Sequence, residues 1–142
     1  MIGKLSFVLL AFLACQGYCI TEYRLEDRNV LYIRHSHFST SFSVPKNFWD
    51  TLSSCHVIFP NGVTYEVYPN YNIPLSNVYF LSAAQPFTSC GIGFRDIGVS
   101  FSGTYELLSN VVHSGDNRVS VTRQRFNLVV RESDLARTNE KI

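Results

Sequence analysis

Histidines, cysteines and scattered serines and carboxylates are the residues of this chain that could do chemistry. His35 and His37 stand two apart in RHSH, and on a strand that spacing turns both rings to one face, as some metal sites require. A zinc site needs further ligands. His56 and His113 lie far off in sequence with nothing acidic around them, so solvent-facing strand residues are expected and no metal is assigned. Cys55 and His56 are adjacent, which suggests a thiol with its base, but neighbours on a strand point to opposite faces. A structural disulfide is the expectation for Cys55. No serine, histidine and acid can be placed together, so a hydrolase is not expected. The GIG at residues 91–93 lacks the further glycine and the helix of a phosphate-binding loop, so strand packing is its expected use. No cofactor is assigned.

The elements that must position these residues begin with a leader. Lys4 precedes the apolar run LSFVLLAFLA and then CQGYC, where small residues recur two apart, the layout of a signal peptide over residues 1–19. The run is about half the roughly 20 residues a membrane span needs, so no transmembrane anchor is expected. Cleavage after Gly17 leaves Cys19 as an odd thiol, whereas cleavage after Cys19, the preferred cut, leaves Cys55 and Cys90 as an even pair. Such a pair behind a secretory leader marks a disulfide tying two strands together. Removing Lys4 reduces the 12 basic residues to match the 11 acidic ones. Nucleic-acid binders carry a clustered basic excess, so no nucleic-acid partner is expected. The length after the leader suits one domain, over residues 20–131, with 132–142 a polar tail.

Period-two patterns dominate, so the chain reads as all-β. NVLYIRHSHF and STSFSV are two candidate strands, and Pro45 then opens a connection, PKNFWD, in which Phe48 and Trp49 are expected to be partly buried. Residues 54–59 and 63–68 form a hairpin about the PNG turn. The stretch that follows, rich in proline and asparagine, reads as loops around a short strand near residues 78–81. Cys90, Ile92 and Phe94 share one face of the next strand, and Tyr105, Leu107 and Val111 one face of the one after, before the HSGDN turn. The last strand carries Val119 and Val121 at odd positions but Phe126, Leu128 and Val130 at even ones, which predicts a β-bulge near residues 122–124. The mixed-sign run from Glu22 to Arg28 reads as a solvated segment without a catalytic role, and Arg118, Arg123, Arg125 and Arg131 as guards on an exposed strand.

About eight strands with regular turns and a cysteine pair predict a β-sandwich. GFRDIGVSFSGTYEL resembles the strand E to strand F region of immunoglobulin-like domains, whose D-x-G-x-Y-x-C run ends in the inter-sheet cysteine. Phe101 stands at the aspartate position, Gly103 and Tyr105 match, and Leu107 replaces the cysteine. SFSVPKNFWDTLSSCHVIFPNGVTYEV is similar to a subtype common in invertebrate extracellular proteins, in which a second cysteine in a C-x-x-x-x-P-x-G context pairs with one opening strand E. The resemblance implies an immunoglobulin-like antiparallel β-sandwich with Tyr105 as its corner tyrosine. It also implies that Cys55–Cys90 is an accessory disulfide and that Phe42 or a neighbour meets Leu107 where the principal bridge would lie. The function it implies is binding of an extracellular protein, without catalysis. The loops carrying Tyr68, Tyr71 and Tyr79 and the HSGDN turn are the expected surfaces. A secreted carrier of a small hydrophobic ligand is the alternative.

Overall fold

The computed structural model describes residues 20–80, 89–116 and 118–132. The leader with its two cleavage choices, residues 81–88 and the tail from 133 onward lie outside the described residues. Nine strands are described: β1 (Ile20–Arg24), β2 (Arg28–Ile33), β3 (Phe38–Ser43), β4 (Thr51–Ile58), β5 (Thr64–Tyr68), β6 (Val78–Phe80), β7 (Ser89–Phe94), β8 (Gly103–Val112) and β9 (Val119–Arg131). They form two sheets, one in the order β1-β9-β8-β4-β5 with β2 also on β9, the other β3-β7-β6. Only β1 and β2 pair in parallel, both with β9. The remaining pairs are antiparallel, and the sheets stack as a sandwich.

Alternation builds the interior. Cys90, Ile92 and Phe94 from β7 and Tyr105, Leu107 and Val111 from β8 are all buried, as are Val57 of β4 and Phe126, Leu128 and Val130 of β9. Aromatic rings fill the end nearest the β4–β5 turn. Tyr105 stacks on Phe126 with centroids 4.8 Å apart, and Phe38 lies 5.9 Å from both Phe94 and Phe126. Gly62 takes φ +86 in the PNG turn, as a tight hairpin requires. Cys55 of β4 is bonded to Cys90 of β7 with Cα atoms 5.6 Å apart, which joins the sheets.

Two strand expectations need correction. β9 has no bulge: it pairs with β8 in one register from Val119 to Leu128. Ser120, Thr122 and Gln124 point inward with Phe126 and Leu128, and Val119 and Val121 are the outer residues. The face was misassigned because its inner residues at that end are polar. The register shifts fall in β4 instead, between Leu52 and Ser54 and between Cys55 and His56. The run from Glu22 to Arg28, read as a solvated segment, is largely exposed as expected but not irregular: Glu22 to Arg24 lie in β1 and Arg28 opens β2. β1 is exposed on both faces; Glu22–Arg123 at 2.8 Å reinforces its ladder to β9, and Arg24 reaches past β9 to Glu106 of β8 at 3.8 Å.

Candidate recognition end

Thr51 pairs with Val112, and Val112 with Val119, so the β3–β4 connection and the β8–β9 turn emerge side by side at one end of the sandwich. Asp50 ties them together. Its Oδ2 accepts from the Asn47 amide at 2.9 Å, which closes the connection on itself, and its Oδ1 accepts from the Ser114 amide at 3.1 Å. His113 Nδ1 lies 2.9 Å from Asp50 Oδ2, while its Nε2 bonds the Ser120 hydroxyl. A carboxylate only accepts, so Nδ1 carries the proton towards Asp50, and in the neutral ring Nε2 accepts from Ser120. The Asn47 and Ser114 amides, with His113 adding to them, hold the Asp50 carboxyl below the usual carboxylate range.

Inside this braced end stand Phe48 and Trp49, 77% and 75% exposed, their rings edge to face at 5.0 Å. The expectation of partial burial is therefore corrected. The turn made by Asn47 and Asp50 closes beneath the pair and turns both rings outward.

The same geometry corrects the reading that no serine, histidine and acid come together and that nothing acidic lies near His113. Asp50, His113 and Ser120 are linked in the order of a nucleophilic triad. A nucleophile must reach its substrate, however, and Ser120 is only 4% exposed with its side chain turned into the sandwich. The trio is placed as a brace between the loops and β9. His56 also has an acidic neighbour, Glu66 at 3.8 Å.

His35 and His37 do not share a strand face, because the chain turns after β2. His35 takes a left-handed φ of 72 and pairs with Asp96 at 2.5 Å, whereas His37 bonds the Tyr79 hydroxyl at 2.6 Å. Among the described residues no three metal-ligating side chains cluster. Of the expected arginine guards, Arg118 pairs with Asp116, and Arg123 and Arg125 both close on Glu106. Despite the cost of its burial, the contacts of Arg123, Arg125 and Arg24 keep the Glu106 carboxyl below its ordinary range.

The tyrosines singled out from the sequence lie away from the braced end. Tyr68 stacks on Phe80 at 6.0 Å. The Tyr71 hydroxyl donates to the Val78 carbonyl at 2.7 Å, and the ring remains 38% exposed. Tyr79 lies across Gly93, with the Arg95 guanidinium 4.6 Å above its ring. In the interior, Phe42 and Leu107 are both buried, and the Tyr105 hydroxyl donates to the Phe101 carbonyl at 2.6 Å. Burial pushes the Tyr105 phenol far above its usual range.

No family model and no curated protein matches the chain. Solved structures do. Murine CRIg aligns over 74% of this chain and 93% of its own at a TM-score of 0.61 and 9% identity. The second Ig domain of the mouse polymeric immunoglobulin receptor aligns over 75% of this chain and 98% of its own, at a TM-score of 0.53 and 9% identity. The RIG-5 IG1 domain, solved as a homodimer, aligns over 73% and 90% at a TM-score of 0.52 and 6% identity. With β9, β8 and β4 in one sheet, β3, β7 and β6 in the other, and the Tyr105 hydroxyl bonded back to the Phe101 carbonyl, the chain folds as an immunoglobulin-like β-sandwich.

Proposed function

We propose that this chain is a secreted, single-domain immunoglobulin-like recognition module, without enzymatic activity, that binds an extracellular protein through the end carrying Phe48 and Trp49. The observation that carries this reading is the exposure of two adjacent large aromatics on a loop held by Asp50. Interface anchors are enriched in aromatic residues, and a loop already fixed in place loses little entropy when a partner covers it. The fold neighbour from the polymeric immunoglobulin receptor agrees with a binding role. Among the described residues no helix is long and apolar enough to cross a membrane. Tyr71, with its ring partly exposed, is proposed as a secondary contact, and Tyr68 and Tyr79 as the residues that shape its surroundings.

The carrier alternative asks for an apolar cavity of about 300 Å³ or more. One recess, in which Asn61, Ser100 and Ser102 stand beside Phe59, Phe101 and Tyr105, has a volume of about 200 Å³, smaller than that.

The test is capture of extracellular and cell-surface proteins on the immobilised, disulfide-bonded chain, followed by titration of the captured partner. Phe48→Ala with Trp49→Ala is expected to weaken binding by about 30-fold or more, the loss of one or two anchors, with the melting temperature held. Tyr71→Phe, which keeps the ring, is expected to change affinity by less than about threefold. Full affinity in the double variant would remove this end from the function.

A further inference from the structure

Among the described residues the two sheets end on four edges: β5, β6, β3, and the edge that β1 and β2 share along β9. On β5, Asn72 closes the outer edge by accepting from the Glu66 amide at 2.7 Å and donating its own amide to the Glu66 carbonyl at 3.0 Å. β6 is three residues long, and its Val78 carbonyl takes the Tyr71 hydroxyl. Along β9 the edge is divided between β1, five residues with Glu22 and Arg24, and β2, which opens on the charged Arg28. Short length, capping and charge are the usual devices that stop a sheet edge from recruiting another chain.

β3 has none of them. It runs six residues with no charged residue, proline or register shift, and its outward side chains are Ser39, Ser41 and Ser43. Among the described residues its main chain bonds only to β7. Arg28 Nη1 reaches Thr40 Oγ1 at 3.2 Å, a bond to an inward side chain and not to the strand's backbone.

Residues 38–42 read FSTSF in both directions. Antiparallel pairing of two copies about Thr40 sets Phe38 opposite Phe42 of the second copy, Ser39 opposite Ser41, and Thr40 opposite Thr40. We propose that β3 is a self-association edge, through which two copies join their three-stranded sheets across a two-fold axis. A two-fold contact needs a self-complementary patch, and a palindromic strand supplies one with every inward residue still facing inward. Main-chain hydrogen bonds provide the affinity, and serine and threonine pairs meet at the seam. The two Arg28 side chains lie near the axis, a like-charge cost that physiological salt screens in part. The contact is small, so its dissociation constant is set on the order of 10–100 μM. It is independent of the aromatic end.

Sedimentation velocity of the secreted, disulfide-bonded chain from about 1 μM to 1 mM tests this. The wild type is expected to pass from monomer to dimer. Ser39→Lys with Ser41→Lys sets ammonium against ammonium twice across the axis and is expected to weaken the dimer at least tenfold, about what two like-charge pairs cost. Ser39→Lys with Ser41→Glu sets opposite charges in those positions and is expected to restore association to within about threefold of wild type. That rescue separates a lost contact from a lost fold, and it reads the register directly. Phe48→Ala with Trp49→Ala is expected to leave the dimer unchanged. A wild type that stays monomeric to 1 mM, a double-lysine variant that dimerises normally, a lysine–glutamate variant that stays dissociated, or a dimer lost with Phe48 and Trp49 would each overturn the proposal.

Discussion

At Asp50 two loop amides and an imidazole converge on one carboxylate, so its negative charge is bonded in the fold and only hydrated in the unfolded chain. Its folded pKa is therefore the lower of the two, with the Asn47 amide the largest cause. The sign follows. Stability from this group is present above the ordinary aspartate value of about 3.9 and is lost as pH falls through the depressed folded value. Asp50→Asn removes one anionic acceptor and with it this titration. Urea denaturation at pH 7 and at pH 3 is expected to show the variant less stable than wild type at pH 7, with the difference narrowing at pH 3. An equal deficit at both values would mean that charge at position 50 does not hold the loops. Because Phe48 and Trp49 sit inside the turn that Asp50 closes, intrinsic tryptophan fluorescence in the same titration reports whether the pair moves when the brace is lost.

At the scale of elements, strand recognition followed how apolar the inward face is. The β4–β5 hairpin, β7 and β8 were legible because their inner positions are Val57, Val67, Ile92, Phe94, Tyr105 and Leu107, and a PNG turn marked the reversal. β1 was not, since both of its faces are polar or exposed and backbone pairing plus ion pairs hold it. Upper β9 was misread because Ser120, Thr122 and Gln124 occupy its core positions. The Asp50–His113 contact spans 63 residues and leaves no local pattern, and nothing in PKNFWD reveals that its rings face water. The glycines of GIG belong to the legible part, as strand-packing residues. A Cβ at Gly91 would lie 2.3 Å from Ser41 Cβ and 2.5 Å from the Thr40 carbonyl oxygen, so β3 and β7 approach here only because Gly91 has no side chain. Gly91→Ala is expected to cost about 1–3 kcal/mol by urea denaturation, the usual cost of forcing strands apart. Gly98→Ala, whose new methyl would find only Ser100 Oγ at 3.8 Å, is the control and is expected to be near neutral. Equal effects would remove close approach as the role of Gly91.

Across the whole molecule the core is uneven. Phe38, Phe59, Phe94, Tyr105 and Phe126 fill the end near the β4–β5 turn, whereas towards the end carrying Phe48 and Trp49 the interior holds Thr40, Ser109, Ser120 and Thr122. Among the described residues Ser109 Oγ and Thr122 Oγ1 are buried without a hydrogen-bond partner, a cost that no apolar contact returns. The disulfide lies in this weaker half: Cys55 sits opposite Ser109 in the β4–β8 ladder, and Cys90 opposite Phe42 in the β3–β7 ladder. It closes a loop spanning 35 residues, for which chain entropy gives about 4 kcal/mol, a large share of the roughly 5–15 kcal/mol of an ordinary domain. Replacing both cysteines with alanine should therefore lower global stability by about that amount and should do so unevenly. Native-state hydrogen exchange is expected to show amides of residues 109–112 and 119–122 opening at free energies well below the global value in the variant. Amides of residues 103–107 and 124–128, backed by the aromatic cluster, should exchange only through global unfolding. Uniform loss of protection along β8 and β9 would show that the sandwich behaves as one cooperative unit and that the bridge serves both halves alike.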